Sequence, residues 1–311
     1  MATANTIGPT QLMRGMLLGE AVFYVFAGIG FGRLGADAGS IALLLLAMAA
    51  TGRGLVVLTT YAYAHAFRTP VPPENRIGRL DTFVMMAEEY LSFVLLFTVV
   101  QPFERLFTTP DRLAPPADGG LPVLLVHGYQ CNRGFWFWQR HALLRAGRTV
   151  ATVNLEPVFA SIDHYGEAIH RRIEEVCAAT ATEQVILVGH SMGGLAARAY
   201  LRAHGNGRVA KLVTLASPHF GTRLAMLGLG TEAGQMVPGN DWLTALNDQE
   251  DEALPEATVA AWSPYDNFVM PQENALLPIR DTRNLGPIGH LAMAFSPAVT
   301  QLLLKETAPP A

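Results

Sequence analysis

The chain changes character near residue 107. Up to that point apolar residues run in three long stretches, 12–31, 40–67 and 83–100, broken by few charges; beyond it, short aliphatic runs alternate with longer polar-faced ones. A helix needs about 20 apolar residues to cross the hydrocarbon core of a bilayer. The pattern therefore predicts a hydrophobic helical region over 1–107 with about three transmembrane helices. A proline-rich linker follows over 108–121, within "TTPDRLAPPADGGLP", and then a second unit over 122–311. A removable signal peptide fits poorly, because the first stretch is long and is followed by two more.

Charges interrupt all three stretches: Glu20, Arg53, and Glu88 with Glu89. Each costs about 2.5–3.5 kcal/mol at mid-bilayer on insertion scales, and pairing among them offsets part of that. The alternative is a soluble helical bundle, buried in a dimer or against the second unit. Arg68, Arg76 and Arg79 lie between the second and third stretches, whereas the first connection holds only Arg33. The excess of positive charge on cytoplasmic loops puts the richer connection inside, together with the amino terminus. Three crossings then carry the second unit to the other side. The expectation is a bacterial inner-membrane protein with that unit facing the periplasm.

Past residue 121 the runs 122–128, 148–155, 184–189 and 209–217 have strand length and turn residues at their ends. Segments 136–146, 161–179 and 192–204 have helical length and spacing, 257–262 and 282–286 read as further strands, and 291–305 as a closing helix. Such alternation predicts an α/β fold, a parallel sheet with helices on both faces.

Composition adds little to this picture except lipid. Half the residues are hydrophobic, only 15% are charged and the mean hydropathy is +0.24, which fits a chain that meets a membrane. A net charge of -4 without a basic stripe excludes a nucleic-acid footprint. Two cysteines, Cys131 and Cys177, are too few for a disulfide framework and lack metal-site spacing, and whether they pair is open. No metal or cofactor is expected, and the number of subunits is open.

The chemistry is carried by "GHSMG" at 189–193, which follows a strand and opens a helix. In that context the Gly-x-Ser-x-Gly pattern reads as a nucleophile elbow. Gly189 and Gly193 let strand and helix approach closely, and Ser191 is lifted above the sheet. A serine hydroxyl needs a base, and the base needs a carboxylate to fix its tautomer, in the chain order Ser, Asp or Glu, His. His290 in "GPIGHLAMAFSP" is the preferred base over His204 and His219. Asp266 in "WSPYDNFVMP" is the preferred acid over Asp281, because it follows a strand and so emerges on the serine's edge. The oxyanion donors expected are the backbone amides of Met192 and Tyr129, whose side chains are dispensable for that role. Trp136, Trp138 and Met226 are candidate substrate contacts, with core or membrane-interface packing as the alternative.

Together "LLVHGY" at 124–129, "VGHSMGGLAARAYL" at 188–201, "LASPHFGT" at 215–222, "VPGNDWLTALN" at 237–247, "SPYDNFVMP" at 263–271 and "GHLAM" at 289–293 resemble the α/β-hydrolase superfamily, in particular its bacterial lipase and esterase group. The resemblance spans most of 120–305 and leaves the first third of the chain aside. It implies metal-free acyl transfer by Ser191, Asp266 and His290, on a lipid or other hydrophobic ester. One departure is that only a single helical insert, around 224–245, is available for a lid, so the amino-terminal helices are candidates to border the acyl site. The expected function is a membrane-anchored serine esterase or lipase. An acyltransferase or thioesterase with the same triad, and a non-catalytic membrane scaffold, are the alternatives.

Overall fold

The computed structural model describes residues 7–117, 119–248 and 254–309; the ends of the chain and Asp118 of the expected linker lie outside the described residues. Helices α1 (Pro9–Arg33) and α2 (Ala38–Phe67) form an antiparallel hairpin. α3 (Arg79–Val94) continues through one π-helical stretch, Leu95–Val100, and α4 (Glu104–Phe107) is a single turn. Proline in the first turn of α1 and the Asp37 carboxylate capping α2 give both helices defined starts. α1, α2 and the 22-residue run Arg79–Val100 are each long and apolar enough to cross a membrane.

The interrupting charges are placed by pairing. Arg53 of α2 meets Glu20 of α1 in a two-pronged ion pair at 2.6 and 2.8 Å, so the charges of the first two stretches neutralise each other. Glu89 of α3 is fully buried, its carboxylate bonded to backbone amides of the second unit.

That unit is built on six parallel strands: β1 (Val123–Val126), β2 (Val150–Val153), β3 (Val185–His190), β4 (Val209–Leu215), β5 (Thr258–Trp262) and β6 (Thr282–Asn284), in the order β2-β1-β3-β4-β5-β6. Alternate residues of a strand point to opposite faces. Leu124 and Val126 of β1 accordingly enter a core with Ile162, Ile169 and Ile173 of α6 (Ile162–Thr180) and Leu195 of α7 (Met192–His204). Val123 and Leu125 enter the opposite core, with Leu143 of α5 (Phe137–Arg145) and Leu303 of α10 (Pro297–Glu306). Burial on both faces explains why the strands read as unbroken aliphatic runs. The expected insert at 224–245 is not one helix: Gly228, Gly230, Pro238 and Gly239 divide it into a 3-10 turn, Arg223–Leu227, then α8 (Thr231–Gln235) and α9 (Asp241–Asp248). The closing helix starts later than expected, at Pro297, where Ser296 caps it.

The two regions interlock. Leu96 of the π-helical stretch is completely buried in the α5/α10 core. At the start of α3, the Tyr265 hydroxyl accepts from the Ile77 amide and donates to the Asn75 carbonyl. Beyond its end, the Asn132 amide donates to the Gln101 side chain at 2.9 Å. The 22-residue run Arg79–Val100, about 33 Å long at 1.5 Å per residue, thus touches the α/β unit at both ends and between. The connection 68–78 also bonds to it through Thr69 with Glu273 and Asn75 with Asn284. The arginine-bearing connection and the α/β unit are thus in direct hydrogen-bond contact. The amino end of α1 joins them, since Ile7 accepts from the Val158 amide and Thr10 from the Asn132 side chain.

Candidate active site

In an open parallel sheet, ligands bind beyond the carboxyl ends of the strands where the chain reverses its direction of travel across the sheet. Here β1 is followed by β2 on one side and β3 on the other, so the reversal falls between β1 and β3. Gly128 and Tyr129 leave one of these strands and Ser191 the other.

Ser191 has φ 55° and ψ -131°, a conformation that L-residues rarely adopt and that persists only where the surroundings enforce it. Its amide donates to Leu215 of β4 at 2.8 Å. A methyl group at Gly193 would lie 2.5 Å from the Val126 carbonyl oxygen, and one at Gly189 2.6 Å from the Gly194 nitrogen. Both glycines are thus fixed by the close passage of α7 over β1 and β3.

The loops after β5 and β6 bring Asp266 and His290 together, both almost completely buried. His290 Nδ1 donates to Asp266 Oδ2 at 2.8 Å, while Oδ1 accepts from the amides of Phe268 and Val269 at 2.7 and 2.8 Å. The alternatives are occupied elsewhere. His204 pairs with Glu167 on the surface, His219 is buried against Thr214, and Asp281 binds Arg283 at the opposite end of β6.

His290 is held from several further directions, by residues the sequence reading did not single out for this role. The Asn267 side chain accepts from the His290 amide at 3.0 Å and donates to Thr60 of α2 at 2.8 Å. Glu89 of α3 accepts from the amides of Leu291 and Ala292 at 2.9 and 2.8 Å. His190 Nε2 donates to the His290 carbonyl at 3.2 Å. Burial and the neighbouring His290 hold the His190 imidazole well below its usual pKa, so it is a neutral donor. Phe268 stacks on the His290 ring with centroids 4.9 Å apart. The available signal for Glu89 was a carboxylate stranded in an apolar stretch, which marks a functional position by default.

The amide expected of Tyr129 is aimed by its neighbour. Buried His127, its pKa pushed down to about 4 by desolvation, is neutral; its Nε2 accepts from the Leu155 amide and its Nδ1 donates to the Gly128 carbonyl at 2.9 Å. That carbonyl and the Tyr129 N–H belong to one planar trans peptide and point in opposite directions, so fixing one aims the other. The Met192 N–H sits in the first turn of α7, where a helix has no acceptor of its own to offer. The Tyr129 side chain has a separate duty: its hydroxyl accepts from the Leu229 amide and donates to the Leu229 carbonyl, tying down the loop after the 3-10 turn.

Ser191 opens into a cavity of about 220 Å³ walled by Pro218, Leu224, Ala225, Met236 and Val269. Tyr129 and Phe268 separate it from a second, mostly apolar cavity of about 480 Å³ between α1, α2 and the end of α3. The expected substrate contacts fall outside both. Trp136 is completely buried, edge-on to His190 in the core behind the site, because its ring completes the α5/α10 core. Trp138 is exposed on α5, and Met226 is exposed beside the smaller cavity, whose walls are its neighbours Ala225 and Leu227. Cys131 and Cys177 are both free and lie in the two opposite cores, so the sheet separates them.

Residues 161–273 match the family described as PGAP1-like alpha/beta domain. Two curated relatives, triacylglycerol lipases of Pseudarthrobacter phenanthrenivorans and Burkholderia plantarii, are each 35% identical over 113 residues; the match covers 33% of this chain and 35% and 31% of theirs. The chain thus spans about a third of the length of these relatives. Among solved structures, mature Bacillus licheniformis lipase BlEst2 superposes with a TM-score of 0.53 at 18% identity, over 65% of this chain and 95% of that one. Aspergillus fumigatus lipase B gives 0.53 at 19%, over 63% and 55%. The fold is that of the α/β-hydrolases, a parallel sheet flanked by helices, preceded by an amino-terminal helical segment.

Proposed function

We propose that the protein is a membrane-anchored serine carboxylic-ester hydrolase acting on lipid esters, with Ser191 as nucleophile, His290 as general base and acid, and Asp266 as its orienting carboxylate. The observation that carries this reading is the buried Asp266–His290 hydrogen bond, formed on the same sheet edge as a strained serine between two obligatory glycines. Similarity to triacylglycerol lipases supports a lipid ester as substrate.

Ser191 Oγ attacks the ester carbonyl carbon as its proton passes to His290 Nε2, and Asp266 stabilises the imidazolium through Nδ1. The amides of Tyr129 and Met192 hold the resulting oxyanion. The carbon–oxygen bond to the alcohol then breaks, the alcohol leaves with the proton from His290, and an acyl-enzyme remains. Water attacks that ester with His290 again as base, the bond to Ser191 Oγ breaks, and the free acid is released with the enzyme restored.

The contacts of the 68–78 connection also support a sidedness. Only the α1–α2 hairpin enters the bilayer, α3 lies along the catalytic unit with Leu80, Phe83 and Leu91 exposed towards lipid, and Arg68, Arg76 and Arg79 put the catalytic unit on the cytoplasmic side. Membrane-impermeant thiol labelling of Ala36→Cys and Asn75→Cys in intact cells tests this: labelling of Asn75→Cys from outside would refute it.

The first test of activity is hydrolysis of an ester series by the full-length protein in detergent beside Ser191→Ala. Loss of all turnover in the variant is the expected result, and equal rates for both proteins would remove Ser191 as nucleophile. Adding alcohol, amine and thioester compounds to the same assay distinguishes hydrolysis from acyl transfer and thioester cleavage.

A further inference from the structure

The larger cavity beside Ser191 belongs to the anchor helices. Leu12, Met16, Val56, Phe93 and Phe97 line it, and it shares Tyr129 and Phe268 with the smaller cavity that opens on the serine. Its wall on α1 runs from Leu12 to Glu20, eight residues or about 12 Å of helix, and on α2 from Thr60 back to Ala49, about 16 Å. It is thus an elongated, mostly apolar space that extends up the base of the hairpin from the Tyr129–Phe268 wall it shares with the cavity of Ser191.

Its volume of about 480 Å³ lies within the range of about 300–1,000 Å³ that small-molecule sites occupy. The two charges on its wall are not free to bind a headgroup. Arg53 gives two bonds to Glu20 and further bonds to the Ala49 carbonyl and Thr98, and Glu20 also accepts from Tyr24. Apart from Thr60, Thr98 and Gln130, what remains is hydrocarbon and aromatic surface, which favours a mainly apolar occupant.

We infer that this cavity holds the long acyl chain of the ester cleaved at Ser191, so that a membrane lipid reaches the serine sideways from the bilayer between α1, α2 and the end of α3. The inference rests on the serine-hydrolase reading for its chemistry and on the helices for its geometry. It makes the anchor a part of the substrate site: Tyr129 and Phe268 form the neck between ester and chain, and the Glu20–Arg53 pair closes the distant end.

Gly52 provides the test, because it lines the cavity and a side chain built there meets nothing within 4 Å. A Cβ at Gly52 has open space around it, so Gly52→Phe projects a ring from the cavity wall, and Gly19→Phe, with an equally open Cβ position on α1 but outside the cavity lining, is the control. Full-length protein in lipid nanodiscs is assayed with butyryl and palmitoyl esters. The ratio of kcat/KM for palmitoyl over butyryl ester is expected to fall at least tenfold in Gly52→Phe and to stay within twofold in Gly19→Phe.

A second readout does not require turnover. Diazirine-bearing palmitate is crosslinked to Ser191→Ala, and the label competed away by excess palmitate is mapped. The expected sites are peptides 12–20 and 49–60, with the competed label lost in Gly52→Phe. An unchanged chain-length ratio with turnover still dependent on Ser191, or competed label confined to other segments, overturns the cavity inference and leaves the hydrolase reading intact. Absence of ester turnover with competed label in these peptides overturns the hydrolase reading instead, and the cavity stands as a fatty-chain site.

Discussion

Glu89→Gln separates an anchor that merely tethers the catalytic unit from one that helps build its site. The Glu89 carboxylate accepts from the amides of Leu291 and Ala292, the two residues directly after His290, and it is fully buried. Both amides donate to Glu89 Oε2 and the Leu291 amide also to Oε1 at 3.1 Å, so a glutamine sets its NH₂ group against the Leu291 donor in either orientation and, with its oxygen turned to the Oε1 side, against both donors. A buried donor left unsatisfied costs about 1–3 kcal/mol. If the loop relieves that cost by moving, the displacement falls on His290, and at about 1.4 kcal/mol per factor of ten it appears as a roughly 10- to 100-fold fall in kcat. The assay is kcat and KM for a short-chain ester with full-length protein in nanodiscs, normalised to folded protein by near-ultraviolet circular dichroism. KM is expected to move little, because the perturbed loop carries the base and not the cavity walls. A variant whose Tm drops while kcat per folded molecule stays within twofold of the parent would refute the reasoning and leave Glu89 as a packing residue.

Three other outcomes follow. Burial pushes the Glu232 carboxyl up to about 7, with Oε1 on the Phe159 amide and Oε2 without a partner among the described residues. Its neutral form is therefore favoured in the fold. The stability it contributes is full below the unfolded pKa near 4.5 and is lost as pH rises through 7, with a slope of order 1 kcal/mol per pH unit. Glu232→Gln should flatten that slope in denaturant titrations and be the more stable protein at pH 8; parallel pH profiles would sink the idea. Arg53→Leu alone should destabilise by about 3–5 kcal/mol by stranding Glu20, whereas Arg53→Leu with Glu20→Leu should recover most of the loss, as read by thermal unfolding in detergent. Equal losses in single and double variants would show that the pair is not coupled. Removal of residues 1–107 should expose Leu291, Ala292 and the core around Leu96, giving a truncate that unfolds at lower temperature and has lost most of its activity; full activity would separate the two regions.

The sheet and the strained turn at Ser191 were legible because each depends on local chemistry. Aliphatic runs of strand length bounded by turn residues, as at β1 and β3, read as strands buried on both faces, and the glycines around Ser191 record a close passage that no other residue allows. The Asp266–His290 pair was legible through chain order and the rule that catalytic groups leave the carboxyl ends of parallel strands. What escaped the sequence was long-range. Trp136 reads as a candidate substrate contact next to Phe137 and Trp138, and only the packing of α5 decides that it faces the core. The 224–245 insert was apolar enough to read as one helix, yet its glycines and Pro238 break it, and Tyr129 secures the resulting loop. Hydropathy likewise detects that α3 is apolar without saying what it packs on. One face of it meets protein, and only contacts a hundred or more residues away in sequence reveal this.

Those contacts change what the amino-terminal region is for. A tether needs only length and hydrophobicity, and any apolar helix joined by a flexible linker supplies both. Here Thr60 of α2 bonds the side chain that holds the His290 amide, Glu89 of α3 holds the two amides that follow, and Leu96 fills the core beneath α5 and α10. Glu89 is unfavourable in a free membrane helix, where a carboxylate finds no partner, and here it is satisfied by backbone amides of the α/β unit, whereas the Thr60 hydroxyl bonds the Val57 carbonyl of its own helix and in addition accepts from Asn267. The polar residues that spoil the hydropathy of α2 and α3 therefore record an interface. Because that interface ends on the loop bearing His290, the amino-terminal helices help fix the geometry of the candidate site.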